Sequence, residues 1–80
     1  MREYIATFYS HYGAVCFRKN CQKLGLEAAV MPVPRNLSSS CGTCVKFKTM
    51  EQHFPELNEE LEQIAEILEV GYRIVYRAEE

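Results

Sequence analysis

The sequence has no long apolar run, no excess of basic residues and few glycines. No stretch approaches the roughly 18–20 apolar residues that cross a bilayer, and the N-terminus lacks the apolar run of a secretory signal. The formal charge of −2 argues against a domain whose main work is to bind phosphate backbones. Neither a glycine-rich phosphate loop nor a Ser/His/Asp set is present. We therefore expect a cytoplasmic protein that binds neither nucleic acid nor a membrane.

The sequence does contain enough apolar material for one small core. Hydrophobic residues make up 48% of the chain and charged residues 25%. With 80 residues the chain is too short for two domains or for a large multi-part enzyme. We expect one domain that spans residues 1–80.

Two amphipathic helices are predicted from the spacing of apolar residues. The first begins after Ser10, a suitable N-cap, and ends before Gly25. Its apolar stripe consists of Ala14, Phe17, Cys21 and Leu24. The second begins near Pro55 or Asn58 and ends at Gly71. Its apolar stripe consists of Leu57, Leu61, Ile64 and Leu68.

Four strands complete the predicted fold. Apolar or alternating runs predict strands over residues 3–9, 27–31, 43–48 and 72–77. The resulting order is the ferredoxin-like βαββαβ arrangement, an α+β fold whose antiparallel sheet carries both helices on one face. The second helix would hold six glutamates and no basic residue. Such a run is typical of a solvated face, and a docking face for a basic partner is the alternative.

Cysteine is the unusual part of the composition. Because the chain has ample apolar residues and no export signal, metal or thiol chemistry is a better interpretation than a disulfide framework. The four cysteines are Cys16, Cys21, Cys41 and Cys44. A zinc site is weakened because the first two lie five residues apart on a helix, a rotation of about 140°. We expect Cys21 in the core, Cys16 as a partly buried bystander, and no metal.

Cys41 is the candidate nucleophile. It follows three serines, whose hydroxyl and N–H groups can surround a thiolate, and it precedes Gly42, which lets the backbone approach closely. Lys46 and Lys48 lie near in sequence, and positive charge lowers the pKa of a thiol. The predicted binding residues around the thiol are Arg35, Ser38, Ser39, Ser40 and Gly42.

Cys44 is the second catalytic candidate. If residues 42–48 are extended, Cys41 and Cys44 lie about 10 Å apart on opposite faces of a strand. A disulfide requires Cα atoms within about 7 Å, so the pair can close only through a turn or a bulge at Gly42. In that arrangement Cys44 would be a resolving thiol. The pairing stays open on the sequence alone.

Three segments resemble a known family of small bacterial proteins, the selenium/sulfur carrier protein-like family. They are Thr7-Phe8-Tyr9-Ser10, Pro32-Val33-Pro34-Arg35 and Ser38-Ser39-Ser40-Cys41-Gly42, and the resemblance covers residues 4–76. It implies a carrier that holds sulfur or selenium on Cys41, with Gly42 and Arg35 as supports. The chain departs from the pattern at Thr43 and Cys44, where members commonly have an aliphatic and a small residue.

The predicted function is that of a carrier rather than a stand-alone enzyme. Cys41 would accept a persulfide or selenosulfide from a donor protein and pass it to an acceptor protein by thiol exchange, without a cofactor. The alternative is a non-catalytic ligand-binding or regulatory module, with a homodimer formed through an exposed sheet face. A soft-metal chaperone is a third interpretation. It is disfavoured because those domains place Cys-x-x-Cys between the first strand and the first helix, where this chain has no cysteine.

Overall fold

One helix packs against one face of a five-stranded antiparallel sheet in the part of the chain that the structure describes. This computed structural model describes residues 2–37, 40–50, 54 and 58–78. The elements are β1 (Arg2–Phe8), α1 (His11–Lys23), β2 (Ala28–Pro32), β3 (Thr43–Thr49), β4 (Leu61–Ile67) and β5 (Tyr72–Arg77). The strand order across the sheet is β2-β3-β1-β4-β5, and every neighbouring pair is antiparallel. The predicted α+β class is confirmed.

Both ends of α1 are defined by local sequence signals. Ser10 is the N-cap: its backbone is extended and its side-chain oxygen accepts a hydrogen bond from the N–H of Gly13 at 3.2 Å. At the other end Gly25 adopts a left-handed φ of 75°, and the N–H of Leu26 donates to the carbonyl of Cys21 at 2.9 Å. This is the Schellman arrangement, which satisfies carbonyls that the helix leaves unpaired. The predicted bounds of this helix are confirmed.

The buried face of α1 carries three of its four predicted residues. Ala14, Phe17 and Cys21 are completely buried against β1, β2 and β3. Leu24 is 60% exposed, so its place in the stripe is wrong. As the C-cap residue, Leu24 lies beyond the turns that contact the sheet.

Aromatic rings fill the layer between α1 and the sheet. Phe47 of β3 lies at the centre, with ring centroids 5.6 Å from Tyr4 and 5.2 Å from Phe17. Phe8 of β1 contacts Phe17 from the other side at 5.3 Å, and Phe54 packs edge-on against Tyr4 at 5.0 Å. Burying one such side chain contributes about 2–3 kcal/mol, so this cluster is the main source of stability on the helix side of the sheet.

The predicted second helix is wrong, because its central residues form β4. In the register between β1 and β4, Phe8 lies opposite Leu61 and Thr7 lies opposite Gln63, which leaves Glu62 as an extra residue in a β-bulge. The bulge places Leu61 and Ile64 on the same face although they are three residues apart. That spacing imitates a helix. Residues 55–57, at the predicted start of the second helix, lie outside the described residues.

Tertiary pairing overrides a strong local preference for helix in this segment. Glutamate, leucine and glutamine are good helix formers, which makes residues 58–69 look helical in isolation. The four residues from Gln63 to Glu66 are all buried in β4, which lies between β1 and β5 in the sheet. An amphipathic helix would leave half of them exposed. Gly71, predicted to end the helix, instead lies in the turn to β5 with a left-handed φ of 82°.

The second half of the predicted ferredoxin-like arrangement is therefore not found. The described residues contain one helix and five strands, instead of two helices and four strands. The predicted strand over residues 72–77 is confirmed as β5, and the other three predicted strands agree with β1, β2 and β3 to within one residue. The acidic helix also disappears: Glu66 is buried and forms ion pairs with Arg2, at 3.5 Å, and with Arg73.

Candidate functional site

Cys41 lies at the end of the loop that joins β2 to β3. The base of this loop is closed by a hydrogen bond from the N–H of Val33 to the carbonyl of Gly42, at 3.0 Å. Gly42 has a φ of 74°, in the left-handed region that favours glycine, and it turns the chain into β3. The residue after Cys41 is thus fixed both by its backbone conformation and by a bond across the loop.

The thiol of Cys41 is half-buried. Its side chain packs against the edge of the aromatic core, and its Sγ lies 3.6 Å from the carbonyl oxygen of Thr43, to which the protonated thiol donates. The side chain thus contacts the core while the residue keeps part of its surface exposed. The arrangement suits a thiol that must meet a partner's sulfur yet limit contact with bulk solvent.

Ser40 joins this loop to a distant strand. Its N–H donates to Oε1 of Glu62 at 3.1 Å, and its hydroxyl donates to Oε2 of the same carboxylate at 2.8 Å. The sequence predicts that these groups surround the Cys41 thiolate, whereas the structure directs both of them to Glu62. Ser38 and Ser39 lie outside the described residues.

Arg35 occupies a turn within the same loop. The N–H of Leu37 donates to the carbonyl of Pro34 at 3.1 Å, which closes the turn, and the Arg35 side chain is exposed. The two prolines that flank Val33 restrict the backbone ahead of this turn. Arg35 as a binding residue stays a prediction.

Cys44 has a different environment, although it is only three residues from Cys41. It lies within β3, opposite Thr7 of β1 and Met31 of β2, and it is completely buried. Its Sγ lies 3.7 Å from the carbonyl oxygen of Pro32. Burial, with the neighbouring Cys41 as a smaller cause, raises the pKa of the Cys44 thiol to about 11. At neutral pH it is a protonated thiol.

The two thiols are not bonded to each other. None of the four cysteines forms a disulfide, and the bend at Gly42 places Cys41 outside β3 while Cys44 lies on the strand. Val45 and Phe47 belong to the core on the helix side, so the alternation along β3 directs Cys44 to the opposite face of the sheet.

A buried hydroxyl lies beside Cys44. Thr7 is completely buried between Cys44 on β3 and Gln63 on β4, and its Oγ1 makes no hydrogen bond in the described part of the chain. An unpaired buried hydroxyl costs about 1–3 kcal/mol, so it marks a place where the fold tolerates a polar group. Thr7 belongs to one of the segments that carry the family resemblance, but nothing in that segment indicates a buried hydroxyl beside Cys44.

The other two cysteines occupy the places that the sequence predicts. Cys21 is in the core, where burial raises its pKa to about 11. Cys16 is half-buried on α1 and forms a hydrogen bond with the Tyr12 hydroxyl, which raises the pKa of Tyr12. Among the described residues, no group of three or more metal-ligating side chains lies together in a way that could hold a metal ion.

The lysines near the cysteines are already paired. Lys46 lies 3.8 Å from the Glu3 carboxylate, and Lys48 lies 3.4 Å from Glu3 and 3.6 Å from Glu27. Glu27 and then Glu3 raise the pKa of Lys48, which keeps it protonated. Because carboxylates offset these charges on the same face of the sheet, the two lysines supply less positive potential to Cys41 than their sequence positions predict.

Comparison with known proteins assigns the chain to a family. Residues 3–77 match a family described as "putative Se/S carrier protein-like". The chain belongs to this family. A relative of the Se/S carrier-like chain is the uncharacterized protein YtiA of Escherichia coli (strain K12), with 36% identity over 45 residues, or 56% of this chain and 53% of the relative. The chain thus aligns with about half the length of that curated relative.

Two further findings concern structure. No solved structure matches this Se/S carrier-like chain. Within the described residues, no helix has the length and apolar character that a membrane span requires.

Proposed function

We propose that the protein carries a sulfur or selenium atom on Cys41, as a persulfide or selenosulfide, from a donor protein to an acceptor protein. The observation that carries this proposal is the half-buried position of the Cys41 thiol at the end of a closed loop. Cys21 and Cys44, by contrast, are buried and protonated at neutral pH. Membership of the Se/S carrier-like family supports the assignment of the cargo.

Loading needs no oxidant. The Cys41 thiolate attacks the outer sulfur of a persulfide on the donor protein. A bond forms between the Cys41 sulfur and that outer sulfur, while the bond between the two donor sulfurs breaks and the donor leaves as a thiolate. Cys41 then holds one extra sulfur atom, and the same exchange with a selenosulfide donor delivers selenium.

Release follows the same chemistry in reverse. A thiolate of the acceptor protein attacks the outer sulfur of the Cys41 persulfide, and Cys41 leaves as a thiolate ready for another cycle. The alternative is attack by Cys44 on the inner sulfur, which expels hydrosulfide and leaves a Cys41–Cys44 disulfide that an external reductant must reopen. With a pKa of about 11, only about one Cys44 thiol in ten thousand is ionised at pH 7. Its burial supports release to an external acceptor.

The experiment that tests the proposal is loading by a cysteine desulfurase and its substrate cysteine. Intact mass spectrometry should show a reducible adduct of one sulfur atom, and peptide mapping should place it on Cys41. Cys41→Ser should abolish the adduct. Cys16→Ser, which alters the other half-buried thiol, should keep it, and so should Cys44→Ser. An adduct that survives in Cys41→Ser, or no adduct on the native protein, would overturn the proposal.

A further inference from the structure

We propose that Glu62 is a positioning residue for Cys41. Glu62 holds the carrier loop, residues 33–42, on β4 and thereby limits how freely the Cys41 thiol and its cargo react. This inference rests on the proposed function and adds a residue from a distant strand to it. The Glu62 carboxylate accepts two hydrogen bonds from Ser40, from the N–H at 3.1 Å and from the hydroxyl at 2.8 Å. Hydrogen bonds to a carboxylate are stronger than neutral ones.

With these bonds, the residues on both sides of Cys41 are fixed by hydrogen bonds, an arrangement that we call the clamp. Ser40 is the residue immediately before Cys41, and Glu62 fixes it to β4. Gly42 is the residue immediately after, and its carbonyl is fixed by the N–H of Val33. With both neighbours held, the half-buried position of the Cys41 side chain is set by the backbone rather than by contacts of the sulfur alone.

The position of Glu62 follows from the bulge in β4. Glu62 is the extra residue between Leu61 and Gln63, both of which pair with β1. A bulge re-aims the side chain that it carries, and bulges are enriched beside functional sites. Here the carboxylate reaches the loop that leads into β3, although β1 separates β3 from β4 in the sheet. The bulge thus links the carrier loop to the opposite side of the central strand.

The Ser40–Glu62 side of the clamp can open when a partner protein binds. Both Ser40–Glu62 hydrogen bonds are exposed to solvent, so a docking protein can reach the donors and the acceptor. Breaking them releases the residue before Cys41, while the hydrogen bond between Val33 and Gly42 still fixes the residue after it. The clamp therefore lowers the reactivity of the Cys41 thiol in the free protein, and binding of a partner can remove this restraint.

The test measures the alkylation rate of Cys41 by iodoacetamide, resolved from the other cysteines by peptide mass. Glu62→Ala should raise the rate by roughly tenfold, because it removes both hydrogen bonds. Ser40→Ala should raise it less, since the N–H of residue 40 still donates to Glu62. The double variant should match Glu62→Ala alone, because every bond lost in Ser40→Ala ends on Glu62.

The conservative variant separates positioning from charge. In Glu62→Gln the amide oxygen can accept from the Ser40 N–H and the amide nitrogen can donate to the Ser40 oxygen. Its alkylation rate should stay within about twofold of the native rate. Glu69→Ala, which alters an exposed glutamate in the turn between β4 and β5, is the matched control and should leave the rate unchanged. Thermal unfolding of each variant shows whether the fold is retained.

The outcomes separate this inference from the proposed function. A Glu62→Ala rate equal to the native rate in a folded protein would overturn the positioning role while sulfur loading remains intact. A Glu62→Gln rate as high as that of Glu62→Ala would also overturn it, since charge rather than position would be responsible. If the native protein fails to load sulfur, the proposed function fails, although the alkylation rates still measure the clamp. If Glu62→Ala does not fold, Ser40→Ala carries the same test.

Discussion

The loop of residues 33–42 and strand β3 place two thiols, three residues apart, in opposite chemical situations. Cys41 in the loop is half-buried and held through its backbone neighbours. Cys44 in the strand is fully buried, opposite Thr7, with its pKa raised to about 11. The Cys-x-x-Cys spacing therefore does not by itself give two thiols of similar exposure or reactivity. The local backbone decides which thiol is half-buried and which one is completely buried, and burial controls the reactivity of a thiol.

The largest effect is expected on the free energy of unfolding, when a side chain of β3 is compared with one of the loop. Phe47→Ala removes the ring at the centre of the aromatic cluster and should lower the free energy of unfolding by roughly 3–5 kcal/mol. Leu37→Ala, at a half-buried position in the loop, should cost less than about 1 kcal/mol. Urea denaturation measures both. Equal losses would mean that the loop is as much part of the core as the strand.

The second prediction compares the two thiols directly. In the folded protein at neutral pH, iodoacetamide should modify Cys41 at least about 100-fold faster than Cys44, because the latter is both inaccessible and protonated. In denaturing urea the two rates should converge. Peptide mapping after timed quenching gives both rates. Similar rates in the folded state would contradict the division between loop and strand.

A smaller effect is expected in alkaline solution. In the folded chain, burial raises the pKa of the Cys44 thiol to about 11, from an ordinary pKa of 9.0. Because the unfolded chain loses this proton first, the associated stability is complete below pH 9 and is lost as the pH rises toward 11. Cys44→Ala should reduce this alkaline loss by roughly 1–2 kcal/mol.

The measurement is the free energy of unfolding at several values between about pH 8 and about pH 11. Cys21→Ala should reduce the alkaline loss by a comparable amount, because burial raises the pKa of Cys21 to about 11 as well. An alkaline loss that is unchanged in both variants would mean that these thiols do not keep their protons in the folded state.

The smallest effect concerns the hydroxyl beside Cys44. Thr7→Val replaces the unpaired buried hydroxyl with a methyl group of similar size and should stabilise the protein by roughly 0.5–1 kcal/mol. Thr7→Ser keeps the hydroxyl and deletes the methyl group, so it should destabilise instead. Denaturation curves of the two variants give the sign. Destabilisation by Thr7→Val would show that this hydroxyl has a partner in solution.

The parts of the fold that could be predicted are those encoded by neighbouring residues. Ser10 and Gly25 mark the ends of α1 through contacts within a few residues of each end. The strands of the hairpin formed by β2 and β3 show their alternation or apolar run locally. Strand β4 could not be predicted in this way, because its conformation depends on pairing with β1 and β5 and its bulge produces a helical spacing of apolar residues.

The same division applies to the candidate site. Cys41 and Gly42 are candidates on the sequence alone, since a thiol next to glycine in a polar loop is a local signal. Glu62 is not, because it lies in a run of glutamates that indicates a solvated helix and acquires its contact only through the sheet. The pKa of Cys44 was equally hidden, since it follows from burial between strands that are distant in sequence.

The hydrogen bond between Val33 and Gly42 also separates the loop of residues 33–42 from the pairing of the sheet. It closes residues 33–42 at the point where β2 and β3 are already paired, so the register of the sheet is set outside the loop. Loops whose ends are fixed by a rigid scaffold accept changes of length and composition at small entropic cost. Changes of length or sequence within these ten residues should therefore leave the pairing of β2 with β3 and the aromatic core intact.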